Sequence, residues 1–238
     1  MVFFRKSIIM ILLLLVCIRP VYVSASDSHA SVYGSEILWL YRCNRQADLE
    51  IALTFDDGPH PTLTPQILDI LKAYGIRATF FMIGENAERY PELVERIRSE
   101  GHEIGNHTYS HIRAKDTTEE KLRDEILHCE RLIGGNSGNG VKLFRPPEGS
   151  WNMKVLEIAR EMDYPIILWD VDTLDWAHTP AAQITSYVLE NTKGGNIILM
   201  HDYQSGGCET MQALRMFIPE LLARGFSFVT VSELLGSQ

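Results

Sequence analysis

Two carboxylates stand side by side at Asp56-Asp57, at the end of the apolar run Ile51-Ala52-Leu53-Thr54-Phe55. Two imidazoles follow at four-residue spacing, His107 and His111. That spacing sets both rings on one helical face or within one tight loop. Two neutral imidazoles and a carboxylate form a common catalytic zinc set with a position left open for water. Further along are Arg145 before Pro146-Pro147, Asp172, Asp175 and Trp176 after another apolar run, and His201-Asp202 after Ile197-Ile198-Leu199-Met200. His201 with Asp175 as partner would make a general acid. Arg145 would clamp a carboxylate, and Trp176 would wall a sugar pocket. Each also has a plain structural reading. Asp-Asp-Gly-Pro makes turns, a histidine ending an apolar strand is often a satisfied core residue, and an arginine can be an ordinary ion pair.

These residues need a scaffold that collects strand ends. From Leu49 onward short apolar runs alternate with amphipathic segments. The predicted strands are 51–55, 78–83, 102–106, 142–145, 165–171, 196–200 and 227–231. The predicted helices begin at Thr64-Pro65 (Thr as cap, Gly75 as stop), Pro91, Thr117-Thr118-Glu119-Glu120 (a capping box), Met153, Pro180 and Thr210, with a short tail helix. Seven alternations of strand and helix predict an α/β fold with a parallel sheet, a distorted (β/α)7-type barrel forming a single catalytic domain. An open doubly wound sheet would fit the same alternation, but no Gly-x-Gly-x-x-Gly follows the first strand. In a barrel the C-terminal strand ends form one rim, and five of the seven carry ionisable groups. Strand alternation would point Asp56 and Asp57 to opposite sides, giving them separate roles. The glycine-rich loop 134–140 lacks the Lys-Ser/Thr of a phosphate loop.

Composition narrows the function classes. The 238 residues are 45% hydrophobic and 22% charged, the proportions of a globular protein. Arg5 and Lys6 precede an apolar run from Ser7 to Ile18, and Val23-Ser24-Ala25 offers small residues for cleavage. Residues 1–25 are expected to be a secretory signal peptide, with an uncleaved anchor as the alternative. Residues 26–48 read as an extension or linker, and 49–238 as the domain. Beyond the leader 19 basic residues face 31 acidic ones, which argues against a nucleic-acid partner. Cys43, Cys129 and Cys208 form neither a disulfide framework nor a zinc cluster.

Taken in order, Thr54-Phe55-Asp56-Asp57-Gly58-Pro59, His107-Thr108-Tyr109-Ser110-His111, Arg145-Pro146-Pro147, Asp172-Thr173-Leu174-Asp175-Trp176 and Leu199-Met200-His201 resemble the polysaccharide deacetylase family, the NodB-homology or carbohydrate esterase family 4 domain. The resemblance spans about residues 49–235. It implies a secreted, metal-dependent hydrolase that removes N-acetyl groups from glycans of the peptidoglycan or chitin type. It implies a divalent cation, Zn2+ first with Co2+ or Mn2+ as alternatives, held by Asp57, His107 and His111. Asp56 would be the base, oriented by Arg145, and His201 the acid, oriented by Asp175. Pro147, Glu148, Trp176 and Leu199 would contact substrate, the backbone N–H near Glu148 meeting the oxyanion. Glu148 departs from the aromatic that many members carry there, which bears on substrate preference. An amidohydrolase for a small amide and a silent glycan-binding module are the alternatives. The partner expected is the glycan, with no stable protein partner.

Overall fold

The computed structural model describes residues 40–44, 47–134, 142–203 and 209–236. The signal-peptide segment, most of the expected extension, nearly all of the glycine-rich loop 134–140 and Cys208 lie outside these residues. Among the described residues no helix is long and apolar enough to cross a membrane.

Among the described residues eight strands and eight α-helices follow one another, mostly in alternation. The strands are β1 (Leu40–Tyr41), β2 (Glu50–Asp56), β3 (Thr79–Met82), β4 (Glu103–Asn106), β5 (Ile166–Ile167), β6 (Val171–Asp172), β7 (Ile197–His201) and β8 (Ser227–Val229). The helices are α1 (Leu63–Tyr74), α2 (Gly84–Arg89), α3 (Pro91–Ser99), α4 (Glu119–Ile133), α5 (Met153–Glu161), α6 (Ala181–Asn191), α7 (Glu209–Ala223) and α8 (Val231–Gly236). One sheet runs β4-β3-β2-β7-β6, with β8 also pairing β2, all parallel. Single bridges through Phe144 continue it from Asn106 to Ile166 in β5, which pairs with β1. This is the distorted α/β barrel.

β2 shows how the sequence builds the wall. Ile51, Leu53 and Phe55 pack outward against Ile67, Leu68 and Leu71 of α1 and Leu214, Phe217 and Ile218 of α7. Each such side chain, fully buried, contributes about 1.5–3 kcal/mol. Ala52 packs with Phe81, Ile167 and Ile197 on the other side, where the shorter Ala52 and Thr54 leave room for the Arg145 guanidinium.

The predicted elements shift in five places. Thr64 lies inside the first turn of α1, with Thr62 as the cap residue. The Thr64 hydroxyl instead donates to the buried Asp202 carboxylate and accepts from the His60 N–H. The run 165–171 splits into β5 and β6, the 142–145 segment pairs only through Phe144, and the short helix α2 had no pattern of its own. Leu40–Tyr41, within the expected extension, pairs as β1, too short for any alternation to show. Gly75 ends α1 as expected, at φ 64° with its N–H on the Leu71 and Lys72 carbonyls.

Candidate active site

In-register parallel strands end together, so their last residues share one rim. Asp56 pairs with His201, Asp172 with Leu199, and Met82 with Asn106 just before His107. They open onto a cavity of about 490 Å3 lined by Asp56, Asp57, His107, His111, Glu148, Trp169, Asp172, Trp176, Leu199 and His201.

The two adjacent carboxylates share this cavity. Asp57 adopts φ 76°, which breaks strand alternation and swings its side chain back beside that of Asp56. This overturns the expectation of opposite sides, because alternation ends with the strand. The backbone turns here through Gly58, where a Cβ would sit 2.1 Å from an Asp202 oxygen; only glycine fits.

Arg145 is fully buried and engages its whole guanidinium fork. Nη1 donates to Asp56 Oδ1 at 2.7 Å and to Thr54 Oγ1 at 2.9 Å. Nε donates to the Ile167 carbonyl and Nη2 to that of Leu168. The guanidinium carbon also lies 4.0 Å from the Phe81 ring centroid. Asp56 is 3% exposed, and its Oδ2 lies 3.8 Å from His107 Nε2. A planar fork satisfies several fixed acceptors at once, which a point charge cannot.

His107 and His111 come from the loop after β4, not from a helical face. The His107 Nδ1–H donates to the Arg145 carbonyl at 2.7 Å, which leaves its Nε2 lone pair for the cavity. Nε2 of His107 and of His111 lie 3.3 and 3.2 Å from Asp57 Oδ1. That oxygen is buried with no hydrogen-bond partner. A buried orphan acceptor is costly, and here it faces two imidazole nitrogens across a gap, the three donors within 4.8 Å of one another. Burial would raise the Asp57 carboxyl, but the His107 and His111 rings hold it well below the usual carboxylate range. Burial likewise opposes the charge on His111, and Asp57 more than offsets it, moving that imidazole upward. Two nitrogens and a carboxylate oxygen converging on one gap fit a divalent cation such as zinc.

On the cavity's other flank His201 Nδ1–H donates to Asp175 Oδ1 at 2.8 Å. The second Asp175 oxygen accepts from the His201 N–H and from Thr210 Oγ1. Burial disfavours the His201 imidazolium, but the Asp175 hydrogen bond and charge prevail and push it up to about 9.

Of the other predicted contacts, Leu199 and Trp176 line the cavity, and Trp176 is 53% exposed. Glu148 lines it at φ 57°, with Oε2 2.8 Å from Arg113 Nε. Pro147 is buried, next to Glu148 and outside the set of residues that line the cavity. Sequence reasoning missed Trp169, which sits inside a predicted apolar strand and reads as core. It also missed Thr210, which reads only as a helix start.

A model described as polysaccharide deacetylase matches residues 44–167. The chain is 46% identical over 190 residues to a peptidoglycan-N-acetylglucosamine deacetylase of Bacillus cereus, covering 78% of this chain and 87% of that one. It is 34% identical over 194 residues to a chitooligosaccharide deacetylase of Azorhizobium caulinodans, covering 76% and 92%. The crystal structure of a peptidoglycan N-acetylglucosamine deacetylase bound to a naphthalenyl-N-oxidanyl-benzamide superposes with a TM-score of 0.79 at 40% identity, over 83% of this chain and 92% of that one. A parallel strand rim that gathers paired carboxylates, paired imidazoles and a buried arginine thus coincides with a family match over half the chain: the protein belongs to the polysaccharide deacetylase family and is a glycan deacetylase, a hydrolase of carbon–nitrogen bonds other than peptide bonds.

Proposed function

We propose that this protein is a secreted, metal-dependent deacetylase that hydrolyses the N-acetyl group of N-acetylglucosamine in peptidoglycan. The observation that carries metal dependence is the orphaned Asp57 Oδ1 facing His107 and His111. The relatives' substrates support the glycan class, and peptidoglycan is favoured by the higher identity. The leader at residues 1–25 supports export to where such polymers lie.

Asp57, His107 and His111 would hold the cation, most simply Zn2+. Bound there, it supplies Lewis-acid polarisation of the amide carbonyl and lowers the pKa of a water toward about 7. The rest is done by the chain's own groups. Asp56 receives the water's proton on Oδ2, because Arg145 occupies the other oxygen. Arg145 fixes that carboxylate, and its carbonyl also fixes the His107 ring. One residue thereby orients both the base and a ligand. The backbone N–H at Glu148 meets the developing oxyanion. His201, with Nδ1 committed to Asp175, presents Nε2 to the leaving nitrogen. An amine is a poor leaving group unless protonated, so an imidazole held protonated near neutrality is the acid required. Trp176, Trp169 and Leu199 supply apolar wall for the sugar and its methyl group.

The test is acetate release by the purified protein from peptidoglycan and N-acetylglucosamine oligomers, before and after chelation and zinc repletion. Release from peptidoglycan that chelator stops and zinc restores is expected. Release only from the oligomers would move the substrate to the chitin class. No release from either by the zinc-loaded protein would sink the catalytic reading.

A further inference from the structure

The segment between the two imidazoles is conformationally strained. Thr108 and His111 sit at φ 66° and φ 56°, a region that non-glycine residues keep only when their surroundings impose it. The start of α2 and one face of α4 do the imposing: the Gly84 and Glu85 N–H groups donate to the Thr108 and Tyr109 carbonyls at 3.0 and 2.9 Å, and α4 holds the side chains. Asn106 Nδ2 donates to the Ile126 carbonyl at 2.9 Å, while Asn106 Oδ1 accepts the Thr108 N–H at 2.9 Å. The Tyr109 ring stacks on His128 with centroids 3.8 Å apart. Glu125, 2% exposed, accepts the Ser110 N–H at 2.7 Å and the Ser110 hydroxyl at 2.9 Å. Lys121 Nζ meets the same carboxylate at 2.8 Å from the solvent side.

Glu125 has no part in the proton transfers above. A buried carboxylate costs free energy unless its bonds offset it, and apart from Lys121 its polar contacts are both to Ser110, the residue preceding His111. We propose that Glu125 is a positioning residue for the metal pair. It anchors Ser110 so that His111 Nε2 converges with His107 Nε2 on Asp57. This rests on the reading of Asp57, His107 and His111 as cation ligands. Groups that orient ligands typically change metal affinity by about 10–100-fold when removed.

The experiment compares Glu125→Ala, Glu125→Gln and Ser110→Ala with wild type in two assays. One is zinc affinity by competition with a chromophoric chelator. The other is amide hydrogen exchange across residues 104–112 in the metal-free protein. Glu125→Ala is expected to weaken zinc binding by about tenfold or more and to speed exchange at Ser110 and His111. Glu125→Gln keeps an acceptor for the Ser110 N–H and should recover most of both. Ser110→Ala should cost about two- to tenfold, one hydrogen bond's worth. Wild-type affinity and wild-type exchange in Glu125→Ala would overturn the proposal. If that variant does not fold, wild-type behaviour of Ser110→Ala in both assays overturns it instead. A wild-type protein that takes up no zinc defeats the ligand reading. Exchange at Ser110 then decides alone whether Glu125 holds the loop, and unchanged exchange would refute it.

Discussion

Replacing Arg145 with lysine keeps the charge and removes the fork. The ammonium carries three donors on one atom, so reaching Asp56 Oδ1 forfeits the Ile167 and Leu168 carbonyls, now bonded through Nε and Nη2. Each buried acceptor left unpaired costs about 1–3 kcal/mol. Two of them place Arg145→Lys about 2–6 kcal/mol below wild type, before the lost contact with the Phe81 ring. Domains are stable by about 5–15 kcal/mol, so the variant should fold but unfold at visibly lower urea. Arg145→Met adds an unpaired buried carboxylate, and breaking a buried ion pair costs about 3–5 kcal/mol; it should be the less stable of the two. Turnover tests the other half of the argument. A loosened Asp56 is misplaced for proton transfer, and misplacement on the ångström scale costs about 100-fold. Urea unfolding of the chelated protein and acetate release by the zinc-loaded protein measure the two effects. An Arg145→Lys protein within about 1 kcal/mol of wild type, with unchanged turnover, would refute the claim that the fork positions the base.

Three further outcomes are expected. Asp56→Asn should abolish acetate release while zinc content by elemental analysis stays at wild-type level; undiminished release would remove Asp56 as the base. Asp175→Asn should move the alkaline limb of the pH profile downward, since His201 then feels mainly burial, and an unmoved limb would count against the pairing. In stability, the His201 contribution is full below its ordinary 6.5 and lost as pH rises through about 9, so Asp175→Asn should destabilise most below that window. Asp202 is pushed up to about 7, first by burial. Its folded state therefore favours the neutral acid, and between pH 4 and pH 7 the Asp202 contribution to stability falls as pH climbs, by at most about 1.4 kcal/mol per pH unit. Asp202→Asn in chelated protein should flatten that slope, and an unchanged slope would show the carboxyl to be ionised throughout.

Local pattern determined much of the scaffold. Periodicity marked most of the helices and the apolar strands, Gly75 and Thr118 marked helix ends, and Asn152 caps α5 through the Val155 N–H. These features depend on neighbours within a few residues, which is the range over which a sequence is directly readable. The rim residues were legible for a related reason: a polar group directly after an apolar strand has one rim to stand on. The five motifs in their order point to the family without any tertiary information.

What tertiary structure alone decided depends on partners far apart in sequence. Arg145 meets Asp56 across 89 positions, and β1 pairs with β5 across more than a hundred. The sharing of one cavity by Asp56 and Asp57 follows from a left-handed turn that adjacency could not reveal. Thr64 reads as a helix cap yet serves Asp202, because the end of β7 lies beside the start of α1. Trp169 and Glu125 carry no local signal at all. An indole in an apolar run and a carboxylate on an amphipathic helix look ordinary until the barrel closes, placing one on the cavity wall and the other beneath the loop that holds two imidazoles.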